Sequence, residues 1–231
     1  SETFSKTQFA MAQQDVRFYL NGLLLEINPE SLDVVGTDGH RLAKTSTELD
    51  KKGVNEQSCI VPRKAIQELT RSLPGSKQCR VTLADNQACF SFSNVTLTTK
   101  LIEGNFPDYN RVIPAQTTTN IILDSKVIKP VLQRVSILAN EKFRGVRIDI
   151  DNNKLTISSE NPEQEQAVED IDIDETNTQL SIGFNVSYLI DAVNACSGEL
   201  VSLGLNDDSS SALITDPSDP NTKYVVMPMR L

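Results

Sequence analysis

Residues 139–165, "ANEKFRGVRIDIDNNKLTISSENPEQE", decide the fold, because an earlier part of the chain follows the same pattern. That earlier copy is "AQQDVRFYLNGLLLEINPESLDVVGTDGHRLA", residues 12–43. Placing Gly145 on Gly22 brings Val146, Ile148 and Ile150 onto Leu23, Leu25 and Ile27. Leu155 and Ile157 then fall on Leu32 and Val34 with no further gap. The only adjustment is four extra residues around "FYLN" in the first copy. Both copies alternate apolar and polar residues, the period of a half-buried strand, and break at a turn, "NPES" or "DNNK". Each copy is a predicted β-hairpin.

The repeat extends outward from the hairpins. A helical stretch precedes each: residues up to about Gln14 in one copy, about Lys129 to Asn140 in the other. Pro130 implies that the second of these helices starts at Lys129 or bends there. Downstream, "CIVPRKAIQELTRSL" and "SIGFNVSYLIDAVNAC" each run from a short strand into an amphipathic helix. Further strands follow, "CRVTLADNQACFSFSNVTLTTKLI" in one half and "ELVSLGLNDDSSSALITD" with "KYVVMPMRL" in the other. A unit this long is a duplicated domain rather than a solenoid repeat. The seam is expected at "RVIPAQTTTN", giving domains 1–113 and 114–231. "TNIILD" supplies a strand that the first copy lacks, and "SETFSKTQFAMA" opens in helical spacing without Met. Both features lead to the expectation that an N-terminal portion is absent.

Composition narrows the classes. The 231 residues suffice for two domains, and at 39% hydrophobic they can fill two cores. No apolar run reaches the roughly 20 residues of a membrane span. There is no basic-then-apolar leader at the start. Cys59, Cys79, Cys89 and Cys196 are scattered without a C-x-x-C pair, as reduced thiols in a cytoplasmic protein would be. The net charge of −9 opposes bulk attraction to nucleic acid. Two helical segments are nonetheless mildly basic. One carries Arg63, Lys64 and Arg71 against Glu68, and the other carries Lys126, Lys129, Arg134, Lys142 and Arg144 against Asp124 and Glu141. The helix from Asn185, by contrast, has no basic residue before Glu199.

Three stretches suggest chemistry. His40, the chain's only histidine, lies between Asp38 and Arg41 and raises the alternative of a hydrolase base. A carboxylate two residues away orients an imidazole poorly, and no G-x-S-x-G elbow accompanies it. Asp149, Asp151, Asn153 and Glu160 match positions 1, 3, 5 and 12 of a calcium loop, the alternative of a metal-binding module. Lys154 stands where that loop requires glycine, and the segment alternates like a hairpin. In "EDIDIDE", Asp170, Asp172 and Asp174 share one strand face, as a solvated face does. The C-terminus, "YVVMPMRL", is apolar nearly to its last residue, which suggests a docked strand or an adaptable binding surface.

"TDGHRLA", "PRKAIQEL", "GNFPDYNRVIP", "ANEKFRGVR", "NPEQEQA", "IGFNVSYLIDA" and "YVVMPMRL" together resemble the bacterial DNA sliding clamp family, the beta subunit of DNA polymerase III. The resemblance runs end to end and in order, and covers that family's second and third domains. It implies an α+β DNA-clamp fold: two repeated domains, each with two helices on one face and antiparallel sheets on the other. It also implies a cytoplasmic processivity factor of DNA replication, not an enzyme, with no cofactor, no metal and no membrane partner. Full-length members are homodimeric rings around duplex DNA, held weakly and without sequence specificity, while a chain lacking the first domain is expected to be monomeric. Partners would be the replicative polymerase, the clamp loader, and other polymerases and repair proteins. These engage by short peptide motifs in a cleft between the second and third domains.

Carried over residue by residue, one part of that cleft comprises Leu20, Thr37, Gly39, His40, Arg41, Leu42, Pro107, Arg111, Val112, Val225 and Met227. The other comprises Asn185, Tyr188, Ser211, Pro228, Met229, Arg230 and Leu231. On this reading His40 is a wall of a peptide cleft. Gln14, Arg17, Phe18, Tyr19, Arg63, Lys64 and Arg71 would face DNA. Ile137, Leu138, Glu163 and Glu165 would meet the partner subunit. Ser209 and Ala212 depart from an aliphatic cleft lining by being small or polar. A topologically linked ring needs only weak phosphate contacts, so an acidic chain suits it.

Overall fold

Both alternating stretches fold as hairpins in a computed structural model that describes residues 1–49, 55–174 and 176–231. The chain divides into two compact units, Ser1–Asp108 and Tyr109–Leu231. The division falls before Tyr109 rather than after Ile113, since the 3-10 turn Tyr109–Arg111 belongs by its contacts to the second unit.

In the first unit α1 (Glu2–Thr7) passes through 3-10 turns at Gln8–Ala10 and Phe18–Asn21 into β1 (Gly22–Ile27). β2 (Ser31–Thr37), β3 (Arg41–Glu48) and β4 (Gln57–Pro62) complete an antiparallel sheet of order β4-β1-β2-β3. α2 (Arg63–Ser72) then leads to a meander of β5 (Arg80–Ala84), β6 (Gln87–Phe92) and β7 (Val95–Lys100). α1 ends at Thr7, well short of Gln14. Beyond it the chain tightens into a 3-10 turn and becomes extended at Met11 (φ −60°, ψ 143°), so that Phe4 and Met11 reach the same core. A short helix and an extended residue thus satisfy an apolar spacing that read as one continuous helix.

The second unit repeats the plan. β8 (Thr119–Asp124) and α3 (Ser125–Ile137) precede β9 (Gly145–Asp151), β10 (Lys154–Glu160), β11 (Gln166–Asp172) and β12 (Gln179–Asn185). α4 (Val186–Ala195), β13 (Leu200–Leu205), β14 (Ala212–Asp216) and β15 (Asp219–Val226) follow. One sheet has the order β11-β10-β9-β12, the counterpart of β3-β2-β1-β4. The other runs β8-β13-β14-β15, which is the β5-β6-β7 meander with β8 added at its edge. Register agrees as well: Ile27 pairs with Leu32 and Leu25 with Val34, as Ile150 pairs with Leu155 and Ile148 with Ile157. The aligned positions are therefore also the aligned cross-strand pairs.

α3 begins at Ser125, four residues before Lys129. The Asp124 side chain caps it by accepting from the Lys126 N–H at 2.7 Å, satisfying an otherwise orphaned donor. Pro130 lies inside this helix, where its missing N–H forfeits one backbone bond. The buried face of Ile128, Val131, Leu132 and Val135 holds the helix in place despite that loss. Inward residues of β9 and β10 meet Leu132 of α3, Leu189 of α4 and Leu203 of β13 around a void of about 20 Å³. That is room for roughly one water, so both helices and both sheets close on one dense core.

The hairpin lends the calcium alternative no support. Asp149 to Glu160 is β9, a turn and β10, with Lys154 paired to Asp151. No helices flank it. Among the described residues no group of three or more His, Cys, Asp or Glu is placed to hold a metal ion. Asp170 is occupied by Thr156 and Lys154, whose hydrogen bonds hold its carboxyl below the usual range. Among the described residues, no helix is long and apolar enough to cross a membrane.

Candidate binding surfaces

In the first unit the β2–β3 turn is built by its own side chains. Thr37 Oγ1 donates to the Arg41 carbonyl at 2.6 Å and accepts from the Gly39 N–H at 3.1 Å. The Asp38 carboxylate accepts from the N–H groups of His40 (2.9 Å) and Arg41 (3.0 Å) and pairs with Arg41 Nε at 3.1 Å. Gly39 has φ +88°, a left-handed conformation that costs glycine little. Arg41 Nη2 reaches the Phe9 carbonyl at 2.8 Å, and its guanidinium lies 5.4 Å from the centre of the Phe9 ring. Asp38 therefore orders the main chain and Arg41, and His40 is carried outward on a fixed turn, exposed. Leu20 and Leu42 are buried, and Pro107 is exposed at the end of this unit.

The loop before β1 is closed by a reciprocal pair, Asp15 N–H to Asn21 Oδ1 and Asn21 Nδ2 to the Asp15 carbonyl, each 2.9 Å. Arg17 grips Asp15 with two bonds, Nε to Oδ1 at 3.0 Å and Nη2 to Oδ2 at 2.8 Å, and also donates to the Asp38 carbonyl. Hydrogen bonds from the Arg17 side chain and N–H lower the Asp15 pKa to about 2. Gln14 is exposed at φ +56°, Phe18 is exposed, and Tyr19 meets the Phe18 ring edge-on at 6.1 Å between centroids. On α2, Lys64 and Arg71 are exposed, Arg71 being paired with Glu68. Arg63 is not displayed in the same way. Its guanidinium donates to the carbonyls of Met11 (2.7 Å) and Ala12 (3.1 Å), and burial lowers its pKa. Sequence gave no signal of this role, because an arginine at a helix start reads like any other surface cation.

In the second unit the Asn185 side chain caps α4, accepting from the Ser187 N–H at 2.9 Å. Tyr188 is half-buried in the first turn of that helix. Arg111 is exposed and Val112 half-buried just after the Tyr109 turn. Val225 is buried in β15, and Ser211 Oγ donates to Met227 Sδ at 3.0 Å. Pro228 and Met229 are half-buried, whereas Arg230 and Leu231 are exposed. The Met229 N–H donates to the Gly183 carbonyl at 2.8 Å, which lays the tail beside β12, an edge strand of its sheet. Met229, Arg230 and Leu231 also wall an open groove of about 690 Å³ whose other sides include Asn140, Phe143, Arg147, Gln166 and Val168. This groove was not read from the sequence.

Ser209 bonds the Asp207 carboxylate through both its N–H and its hydroxyl. Those bonds and one from the Ser210 hydroxyl bring the Asp207 pKa to about 2. Ala212 is fully buried. Ile137, at the end of α3, is 77% exposed, a large apolar side chain offered to solvent, and Leu138 beside it is half-buried. Glu163 and Glu165 are exposed between β10 and β11, and Glu165 Oε2 accepts from Asn161 Nδ2 at 2.7 Å.

Two family profiles match the chain. "DNA polymerase III beta subunit, central domain" covers residues 1–108, and "DNA polymerase III beta subunit, C-terminal domain" covers residues 110–230. Among curated relatives, the beta sliding clamp of Pseudomonas putida is 43% identical over 227 residues, 98% of this chain and 62% of the relative. That of Escherichia coli K12 is 44% identical over 226 residues, 97% of this chain and 62% of the relative. The chain thus spans 62% of the length of these relatives. A crystal structure of the DNA polymerase III subunit beta from Pseudomonas aeruginosa matches with a TM-score of 0.96 and 42% identity, over 100% of this chain and 63% of that one.

Proposed function

The chain belongs to the DNA polymerase III beta subunit family, the bacterial sliding clamps, and on that premise we propose that it acts as a processivity clamp. It contributes to a ring around duplex DNA and tethers polymerases, the clamp loader and repair proteins by their short peptide motifs. The observation that carries the peptide-binding reading is the C-terminal tail. The segment after β15 is fastened by the Met229 N–H and still leaves Leu231 58% exposed. Apolar surface held in place but uncovered is what a peptide site requires, and methionine lets it repack for different partners. The preordered Thr37–Leu42 turn of the first unit is a further polar, rigid surface to which peptide contact is assigned.

The work is tethering, and no covalent step is needed. DNA contact falls to Gln14, Arg17, Phe18, Tyr19, Lys64 and Arg71, a sparse set suited to weak, sliding attachment. Arg63 acts behind them as a brace. Ile137, Leu138, Glu163 and Glu165 would face a second subunit in a full-length, cytoplasmic homodimeric ring, while this chain by itself is monomeric. The test is titration of the chain with a Gln-x-x-Leu-Phe-type peptide. Saturable binding is expected. Absence of binding up to roughly 1 mM peptide, about 4 kcal/mol of affinity, would overturn the reading.

A further inference from the structure

We propose that Gly183, assisted by Gly145, is a positioning residue for peptide recognition, holding the C-terminal tail in the one place where it can serve as a cleft wall. The inference rests on the peptide-binding function proposed above and identifies what sets the shape of that site. Glycine in a strand interior weakens the strand unless something requires it. At both positions the backbone is ordinary extended strand, with no positive φ that would call for glycine. Close approach is the remaining reason.

The tail makes that approach. A Cβ on Gly183 would lie 2.5 Å from the Met229 carbonyl oxygen and 2.7 Å from Leu231 Cγ. A Cβ on Gly145 would collide with Leu231 Cδ2 and lie 3.7 Å from Met229 Cε. Gly145 pairs with Asn185 and Gly183 with Arg147, so the two glycines are diagonal neighbours on adjoining strands. They share the sheet face opposite Val146, Ile182 and Phe184, which are buried in the core. The bare patch therefore serves the tail and not the core. The Gly183 carbonyl also accepts the Met229 N–H, so one residue supplies both the anchor and the clearance.

The obstacles differ in kind. At Gly145 the nearest atoms are ends of flexible side chains, which can swing aside. At Gly183 the nearest is a main-chain oxygen, which moves only if the tail does. Gly183→Ala should therefore lift the tail, and Gly145→Ala should shift only the Leu231 side chain. Neither should harm folding, since alanine fits an extended strand at least as well as glycine.

The experiment is a cycle of four proteins: the parent, Gly183→Ala, a chain lacking Met229–Leu231, and the combination. Each is titrated with the Gln-x-x-Leu-Phe-type peptide and melted. Hydrogen exchange at the Met229 amide is followed in the parent and in Gly183→Ala. Gly183→Ala should bind about tenfold more weakly with an undiminished melting temperature, and in the tail-less chain it should have no further effect. Protection of the Met229 amide should be lost. The proposal is overturned if Gly183→Ala binds like the parent, if it weakens the tail-less chain further, or if it unfolds, for then it serves the sheet. A parent that binds no peptide overturns the proposed function and the affinity effect with it. Met229 exchange would still decide whether Gly183 seats the tail.

Discussion

The β2–β3 turn and the C-terminal tail are held by opposite means. The turn is held by attraction: Thr37, Asp38 and Arg41 satisfy its main-chain groups, and a glycine takes the left-handed position. The tail is held by one main-chain hydrogen bond and by the absence of side chains beneath it. A turn of the first kind keeps its shape whatever binds. A tail of the second kind keeps its main chain seated while its methionine and leucine side chains repack.

The largest effect should come from removing the loose wall. Deleting Met229, Arg230 and Leu231 takes away apolar contacts worth roughly 1.5–3 kcal/mol each when fully buried, so peptide affinity should fall by several factors of ten. The melting temperature should barely change, since β15 ends at Val226 before the deletion begins. Calorimetric titration beside thermal melting checks both. If the truncated chain unfolds, the tail belongs to the core and the contrast with the turn fails.

Loosening the rigid wall should matter next. Asp38→Ala removes the acceptor of the His40 and Arg41 N–H groups and releases Arg41 Nε, at about 0.5–1.5 kcal/mol of stability. Peptide affinity should fall by about tenfold, less than for the deletion, because the apolar contacts stay in place. His40→Ala should do less again, a few-fold loss, roughly 0.5–1 kcal/mol, with no change in melting. If His40→Ala costs more than Asp38→Ala, the imidazole and not the turn is what the ligand reads.

The smallest effect concerns pH. The folded-state pKa of Asp15 is about 2, lowered from an ordinary 3.8 chiefly by the Arg17 side chain. A depressed carboxylate contributes stability above its ordinary pKa and loses it as pH falls through the folded value. Between pH ~4 and ~2 the Asp15–Asn21 loop should therefore loosen while the strands persist. Amide exchange at Arg17 against exchange at Leu25 would detect it. Equal loosening at both sites would make the loop part of the global unfolding unit.

Legibility in the sequence followed the range of the forces involved. The hairpins and their register were readable because alternation is local and each pair lies within a few residues of a turn, as Ile150 and Leu155 do across "DNNK". The start of α3 was misjudged because Pro130 is a louder signal than the Asp124 cap, although the cap prevails with an apolar face to support it. Arg63 was placed with the displayed cations because the carbonyls it binds, at Met11 and Ala12, lie some fifty residues away. Gly183 lies within "IGFNVSYLIDA" with no local mark of its role. Clearance for a segment that returns from the far end of the chain leaves no local pattern.

The central claim is that the Met227–Leu231 tail, fastened beside β12, receives a peptide. Nuclear magnetic resonance of the labelled chain, titrated with a Gln-x-x-Leu-Phe-type peptide, tests it most directly. The account expects amide shifts at Met227, Met229 and Leu231 to saturate together, at one peptide concentration. No shift at these residues, or shifts that saturate at separate concentrations, would contradict it.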